Sequence, residues 1–212
     1  MLYTSYLANK LIDQLLRAQA YTFPTTALSA GLLTSTKGPR ANSTVYALND
    51  TISLTPNSGP NRLYKCTTAG TSAAAQSTLY PGANSEVITD GTAVFTEQTV
   101  AMRAGTVVEA NYTGYARSNL AASLTNWAGT QAPASTAASS GTGVPTTSNN
   151  STMTFGATNT GTTAFVWGIA FFDATTAGNM LMIEPLTTVK TINNGDPAPT
   201  FAAAALTLSI DN

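Results

Sequence analysis

The stretch "TTAFVWGIAFFDATTAGNMLMIEPLTTVKTI", residues 162–192, decides the fold. From Ala164 to Phe172 it is apolar without a break, bulky and aromatic, so it reads as a strand covered on both faces. Thr175 to Gly178 then turn the chain into a second apolar run. A buried strand with both faces covered needs layers above and below it. The rest of the chain has to supply them.

It does so mostly with short strands. "TTALSAGLLTS" (25–35), "STVYALNDTISLT" (43–55), "RLYKCTT" (62–68), "GTVVEANYTGYARSNL" (105–120), "TMTFGATN" (152–159) and "ALTLSIDN" (205–212) all read as strands or strand regions. In "SEVITDGTAVFTEQ" (85–98) the Asp90-Gly91 step predicts a hairpin turn. Residues 128–150 are polar and of low complexity, a loop or linker by composition. The one good helix spans 5–20. Leu7, Leu11 and Leu15 recur every fourth residue with Ile12 and Leu16 beside them, Thr4 or Ser5 can cap its start, and Pro24 marks the exit. The expected fold is mainly β, a β-sandwich or jelly-roll-like body with one N-terminal helix. The Leu7, Leu11, Leu15 stripe has two readings. It packs on the body, or it is a partner contact.

Only 9 % of the 212 residues are charged, against about 25 % in ordinary soluble domains. The net charge is −1. Nucleic-acid binding, which needs clustered Lys and Arg, is excluded on this ground. No apolar run is long enough to span a membrane, and Lys10, Asp13 and Arg17 interrupt the opening residues in a way a secretory signal does not. A neutral, hydroxyl-rich surface promotes association, so a homo-oligomer, such as a trimer, is expected.

There is no histidine, which removes Ser-His-Asp, Cys-His and His-based metal chemistry. The single cysteine, Cys66, lies in a strand pattern and reads as a small buried hydrophobe. Most acids sit at turns, where Asp serves local hydrogen bonding. Glu109 and Glu184 lie in strand-like runs and are the least explained, yet no acid pair has a catalytic spacing. The expectation is a protein with no catalytic residue, no cofactor and no metal.

Several stretches resemble a family of small bacteriophage virion proteins, labelled tail-fibre or structural proteins. They are "SYLANKLIDQLLRAQAYTFPTTALSAGLLTS" near the start, "GYARSNL" (114–120), "WGIAFFDATTAGNMLMIEPLTTVKTINNGD" (167–196) and the closing "FAAAALTLSIDN". Met180-Leu181-Met182 stands where the family usually has Leu-Leu, a conservative departure. The family also reaches Gly-Tyr-Ala-Arg from its first strand in fewer residues. The resemblance therefore implies an inserted small β module at 43–100, set in a docking body of 1–42 plus 101–212. The limits of that module fall in the turn-rich "KGPRANS" and "VAMRAGT". The module itself is similar to one common in phage tail and baseplate proteins and to small chitin-binding domains, which stack sugars on exposed Trp. Phe95 and Thr44 stand where Trp is expected. That loss of flat indoles favours a spacer or contact knob over glycan contact. The implied function is a non-enzymatic virion structural protein, assembled in the bacterial host cytoplasm with other virion proteins. It is a decoration or cement protein on the capsid, with a tail-fibre or tail-tip component as the alternative.

Overall fold

The computed structural model describes residues 1–54, 61–76, 80, 84–140 and 143–210. Thr55, Asp211 and Asn212, which end two of the expected strand runs, lie outside the described residues, as do Gly141 and Thr142 of the polar segment. The first elements are β1 (Leu2–Tyr3), α1 (Ser5–Leu16), β2 (Ser29–Ser35), β3 (Val45–Tyr46), β4 (Thr51–Leu54) and β5 (Arg62–Thr68). Then come β6 (Gly70–Thr71), β7 (Val87–Asp90), β8 (Ala93–Glu97), α2 (Thr99–Arg103) and β9 (Ser118–Asn119). The chain continues through β10 (Thr146–Ser148), β11 (Met153–Thr154), β12 (Ala164–Phe172), β13 (Met180–Ile192), β14 (Thr200–Phe201) and β15 (Thr207–Ser209).

The mainly β expectation, with one N-terminal helix, holds. The decisive stretch forms the antiparallel pair β12–β13, and β12 lies at the centre of a five-stranded sheet ordered β1-β13-β12-β2-β9. Both faces of β12 are buried. On one face Val166, Ile169 and Phe171 join a cluster with Ala30, Leu32, Tyr112, Phe155 and Leu208. On the other, Trp167, Ala170 and Phe172 pack with Leu33, Ile183, Leu63 and Met102. The register slips between Val166 and Gly168 against both neighbouring strands. Such a bulge shifts the alternation of the strand by one residue, so Val166 shares a face with Ile169 and Phe171 while Trp167 shares the other with Ala170 and Phe172.

Strands β3 to β8 pair with one another, as the sheet β4-β5-β8-β7 and the ribbon β3-β6. They enclose a cluster of Tyr46, Ile52, Tyr64, Cys66, Tyr80, Ile88 and Phe95. Cys66 is fully buried there, as its strand position implies. The Asp90-Gly91 hairpin is present, with Asp90 facing Ala93. Gly91 takes φ +67, and a Cβ at this position would lie 2.2 Å from the Thr71 carbonyl oxygen, so the turn admits glycine alone.

Four local expectations change. The 128–150 segment, expected as a loop or linker, carries strand β10 near its end, paired with β15. The helix stops at Leu16 rather than 20, because Ala18 adopts φ 53 and the Gln19 N–H returns to the Asp13 carbonyl. The 105–120 run is mostly irregular. It touches β2 by a bridge at Glu109 and then turns at Tyr112–Tyr115 before β9. "VAMRAGT" is not simply a turn, since it carries most of α2 and the buried Met102.

Candidate interaction surfaces

Helix α1 is anchored at one end. The Thr4 hydroxyl donates to the Met180 carbonyl at 2.6 Å and accepts from the Leu7 N–H at 3.4 Å, capping the helix and tying it to β13. Leu7 is buried, Leu11 half-buried and Leu15 78 % exposed. The gradient has a geometric cause. At 3.6 residues per turn, each four-residue step drifts about 40° round the helix, so the stripe rotates away from the body as it rises. The packing reading thus describes Leu7 fully and Leu15 not at all. From Gln14 to Ala20 every residue is exposed. Ile12 (51 %) and Leu16 (81 %) form with Leu15 a second, outward apolar face at i, i+3, i+4 spacing. Asp13 and Arg17, on the flank, neutralise each other at 2.8 Å.

A shallow apolar groove of about 280 Å³ opens beside the main sheet, lined by Leu28, Ala122, Trp127, Phe171, Met182 and Leu208. No charged side chain lines it. The Trp127 indole N–H donates to the Leu120 carbonyl at 3.2 Å, and its ring meets Phe171 edge-on at 5.6 Å. Those contacts hold the wall rigid. Nothing in the sequence marks this groove, because its residues come from six separate segments.

The two unexplained acids find structural partners. Glu109 receives the Arg117 guanidinium at 2.8 and 2.7 Å and the Tyr115 hydroxyl at 2.7 Å. Arg117 also donates to the carbonyls of Ala174 and Ala177 and lies 3.4 Å above the Phe172 ring. The Gly-Tyr-Ala-Arg motif is therefore the clamp that holds the 173–179 turn. Gly31 lies under it, since a Cβ there would sit 2.7 Å from Glu109 Oε1. Burial first, then the bond to Glu109, pushes the Tyr115 phenol well above its ordinary range. Glu184 pairs with the Met1 ammonium at 2.9 Å, beside a cleft of about 250 Å³ lined in part by Arg62 and Met102. Each of the two carboxylates therefore faces a cation. Among the described residues, no group of three or more His, Cys, Asp or Glu is placed to hold a metal ion. No helix there is long and apolar enough to cross a membrane.

Phe95, at one of the sugar-stacking positions of the resemblance, is fully buried between Tyr46 and Tyr80. It offers no face to a glycan.

Against known proteins, residues 61–209 match the family described as Podophage GP4 fiber I protein gp80, well over half of the chain. The matched span starts at β5 and leaves out α1 and β2. No curated protein matches.

Proposed function

We propose a role on the outside of the phage particle from one premise: the chain belongs to the podophage GP4 fiber I protein gp80 family, a phage virion structural family. It is a fibre-type structural protein of the virion, and its work is contact with other virion proteins. The finer reading is a non-enzymatic fibre component, assembled in the host cytoplasm and attached to the tail. The match over 61–209 to a family described as a fibre protein carries that reading. A decoration protein on the capsid shell is the second reading. The low charge of the chain favours it, because a neutral surface suits close packing in a lattice.

Two parts of the chain divide the work in this proposal. The 1–42 and 101–212 body docks through α1, with exposed Leu15 and half-buried Leu11 at the partner contact, while Leu7, expected there too, is buried against the body and drops out of it. Among the strands, β3 to β8 pair with one another, which supports treating 43–100 as an inserted module that projects as a spacer or contact knob, joined to the body by the bridge between Ser53 of β4 and Pro39. Gold-labelled antibody against the chain, imaged on purified particles, tests the location. Label at the tail in a few copies supports the fibre reading. Label over the whole shell in hundreds of copies replaces it with the decoration reading.

A further inference from the structure

We propose that the cleft beside Glu184 is a binding site for a carboxylate carried on a short apolar stem. The proposal goes beyond the virion-structural reading and does not depend on where the chain sits in the particle. The cleft, of about 250 Å³, opens along the seam between the two larger sheets. Leu2 of β1 and Ile183 to Pro185 of β13 line it from the main sheet, and Asn61, Arg62 and α2 from the other side. Seams between structural units are favoured places for small-molecule sites.

The side chains around the cleft have donors to spare. Asn61 is only 4 % exposed, and its Oδ1 accepts from the Ser53 hydroxyl at 2.9 Å. Its Nδ2 has no hydrogen-bond acceptor among the described residues. Arg62 donates through Nη1 alone, to Glu97 and to the Thr99 hydroxyl at 3.2 Å each and to Asn84 at 3.5 Å. Its Nη2 has no acceptor among the described residues, and its enclosed Nε is an orphan of the kind that native structures usually satisfy. Arg103, exposed at the end of α2, has no ion-pair partner among the described residues. Guanidinium groups match the two oxygens of a carboxylate in both charge and shape.

The charge count selects a monoanion. Glu184 is met by the Met1 ammonium at 2.9 Å, and Arg62 by Glu97 at 3.2 Å. Arg103 is left as the uncompensated charge of the lining. A phosphate monoester brings about two negative charges, and the excess would stand beside Glu184. The floor selects the stem. Leu2, Met102, Ile183 and Pro185 are apolar, and a few carbon atoms attached to the carboxylate would cover them.

The test titrates isovalerate into the purified full chain and follows the methyl signals of Met1 and Met102 by NMR. Met153, in the opposite core, is the control. Isovalerate is expected to move the two cleft methyls saturably, with a Kd of about 1 mM for so small a ligand, and to leave Met153 in place. Isovaleramide keeps the shape without the charge, and inorganic phosphate keeps a charge without the stem. Each is expected to bind at least about tenfold more weakly. Arg103→Gln, at an exposed position, is expected to keep the melting temperature and to weaken isovalerate about tenfold, as loss of a charge-assisted hydrogen bond does. Absence of a saturable shift, an equal shift at Met153, or isovaleramide or phosphate binding as tightly as isovalerate each overturns the proposal. So does a folded Arg103→Gln variant that binds like the parent. The three ligand titrations on the parent chain decide the matter even if the variant does not fold.

Discussion

Arg40 holds Asp90 through two hydrogen bonds, Nε to Oδ2 at 2.7 Å and Nη2 to Oδ1 at 3.0 Å, with the two side chains 2 % and 0 % exposed. Asp90 also accepts from the Tyr80 hydroxyl at 2.8 Å and the Ala73 N–H at 3.1 Å. Arg40 donates further to the Ala73 and Ala75 carbonyls. The pair pins the segment leaving β2 to the tip of the β7–β8 hairpin. It thereby joins the main sheet to the four-stranded unit.

Removing one partner leaves a buried charge with no counterion. Asp90→Ala is expected to lower the unfolding free energy by about 3–5 kcal/mol. The double change Arg40→Met with Asp90→Leu is expected to cost less, because no charge is left uncompensated. Urea denaturation of the three proteins checks the order. A double variant as unstable as Asp90→Ala would show that the polar network, and not the charge, dominates.

The same site sets the acid limit of stability. Burial by itself would raise the Asp90 carboxyl, but the hydrogen bonds from Arg40, Tyr80 and Ala73 outweigh it and hold the group below its ordinary value of 3.8. A depressed folded pKa means stability present above the unfolded value and lost as pH falls through the folded one. The melting temperature should therefore hold from neutral pH to about pH 4 and fall below it. The Asp90→Asn variant should start lower and show a shallower acid fall. At the other end, burial pushes the Tyr64 phenol up to about 12, and Tyr80 and Tyr115 also move upward. A raised folded pKa gives stability that is complete below the unfolded value of 10 and lost as pH rises towards the folded one. A second fall is expected above about pH 10. It should be smaller in Tyr64→Phe, as melts between pH 9 and 12 can read.

Leu7 and Leu15 belong to one stripe but should behave oppositely. Leu7→Ala opens a hole under a buried side chain and is expected to cost about 2–5 kcal/mol. Leu15→Asp changes a side chain already in water and should leave stability within about 0.5 kcal/mol. If α1 is the partner contact, Leu15→Asp should nonetheless reduce incorporation into particles, scored by the amount of protein that sediments with them. Normal incorporation of Leu15→Asp would remove Leu15 from the contact.

How far the sequence could be read follows from the range of the forces involved. The β12–β13 pair was legible because a nine-residue apolar run rich in aromatic and β-branched residues and followed by a turn favours a covered strand, and Asp90-Gly91 because the turn chemistry is local. The insertion of β2 between β12 and β9 was not legible, since no local signal specifies which distant strand pairs with which. Periodicity found the Leu7 stripe but could not say where the body ends beneath it. Five-residue α2 is too short for a periodic signal. Arg40 hid in "KGPRANS", which reads as a turn, because a buried ion pair depends on a partner fifty residues away. The groove was the least legible feature, assembled from six segments with no motif among them.

The Arg40–Asp90 pair also changes where the proposed module should be cut. A fragment of 43–100 would carry Asp90 without Arg40, leaving the carboxylate buried beside Tyr80 with no cation. It would also lose the contact between Pro39 and Ser53 and the bond from the Ser53 N–H to the Gly38 carbonyl. A fragment of 37–98 keeps all of these together with the cluster around Tyr46, Tyr64 and Phe95. The expected outcome is that 37–98 folds on its own with a cooperative melt, while 43–100 melts at lower temperature or not at all. Leu63 would be newly exposed in either piece, because it packs on Leu33 and Trp167 of the main sheet. Leu63→Thr in 37–98 should thus improve solubility with little loss of stability, since it points away from the unit's own cluster. If neither fragment gives a cooperative transition, the strands of 43–100 depend on the main sheet for their fold, and the division into module and body fails.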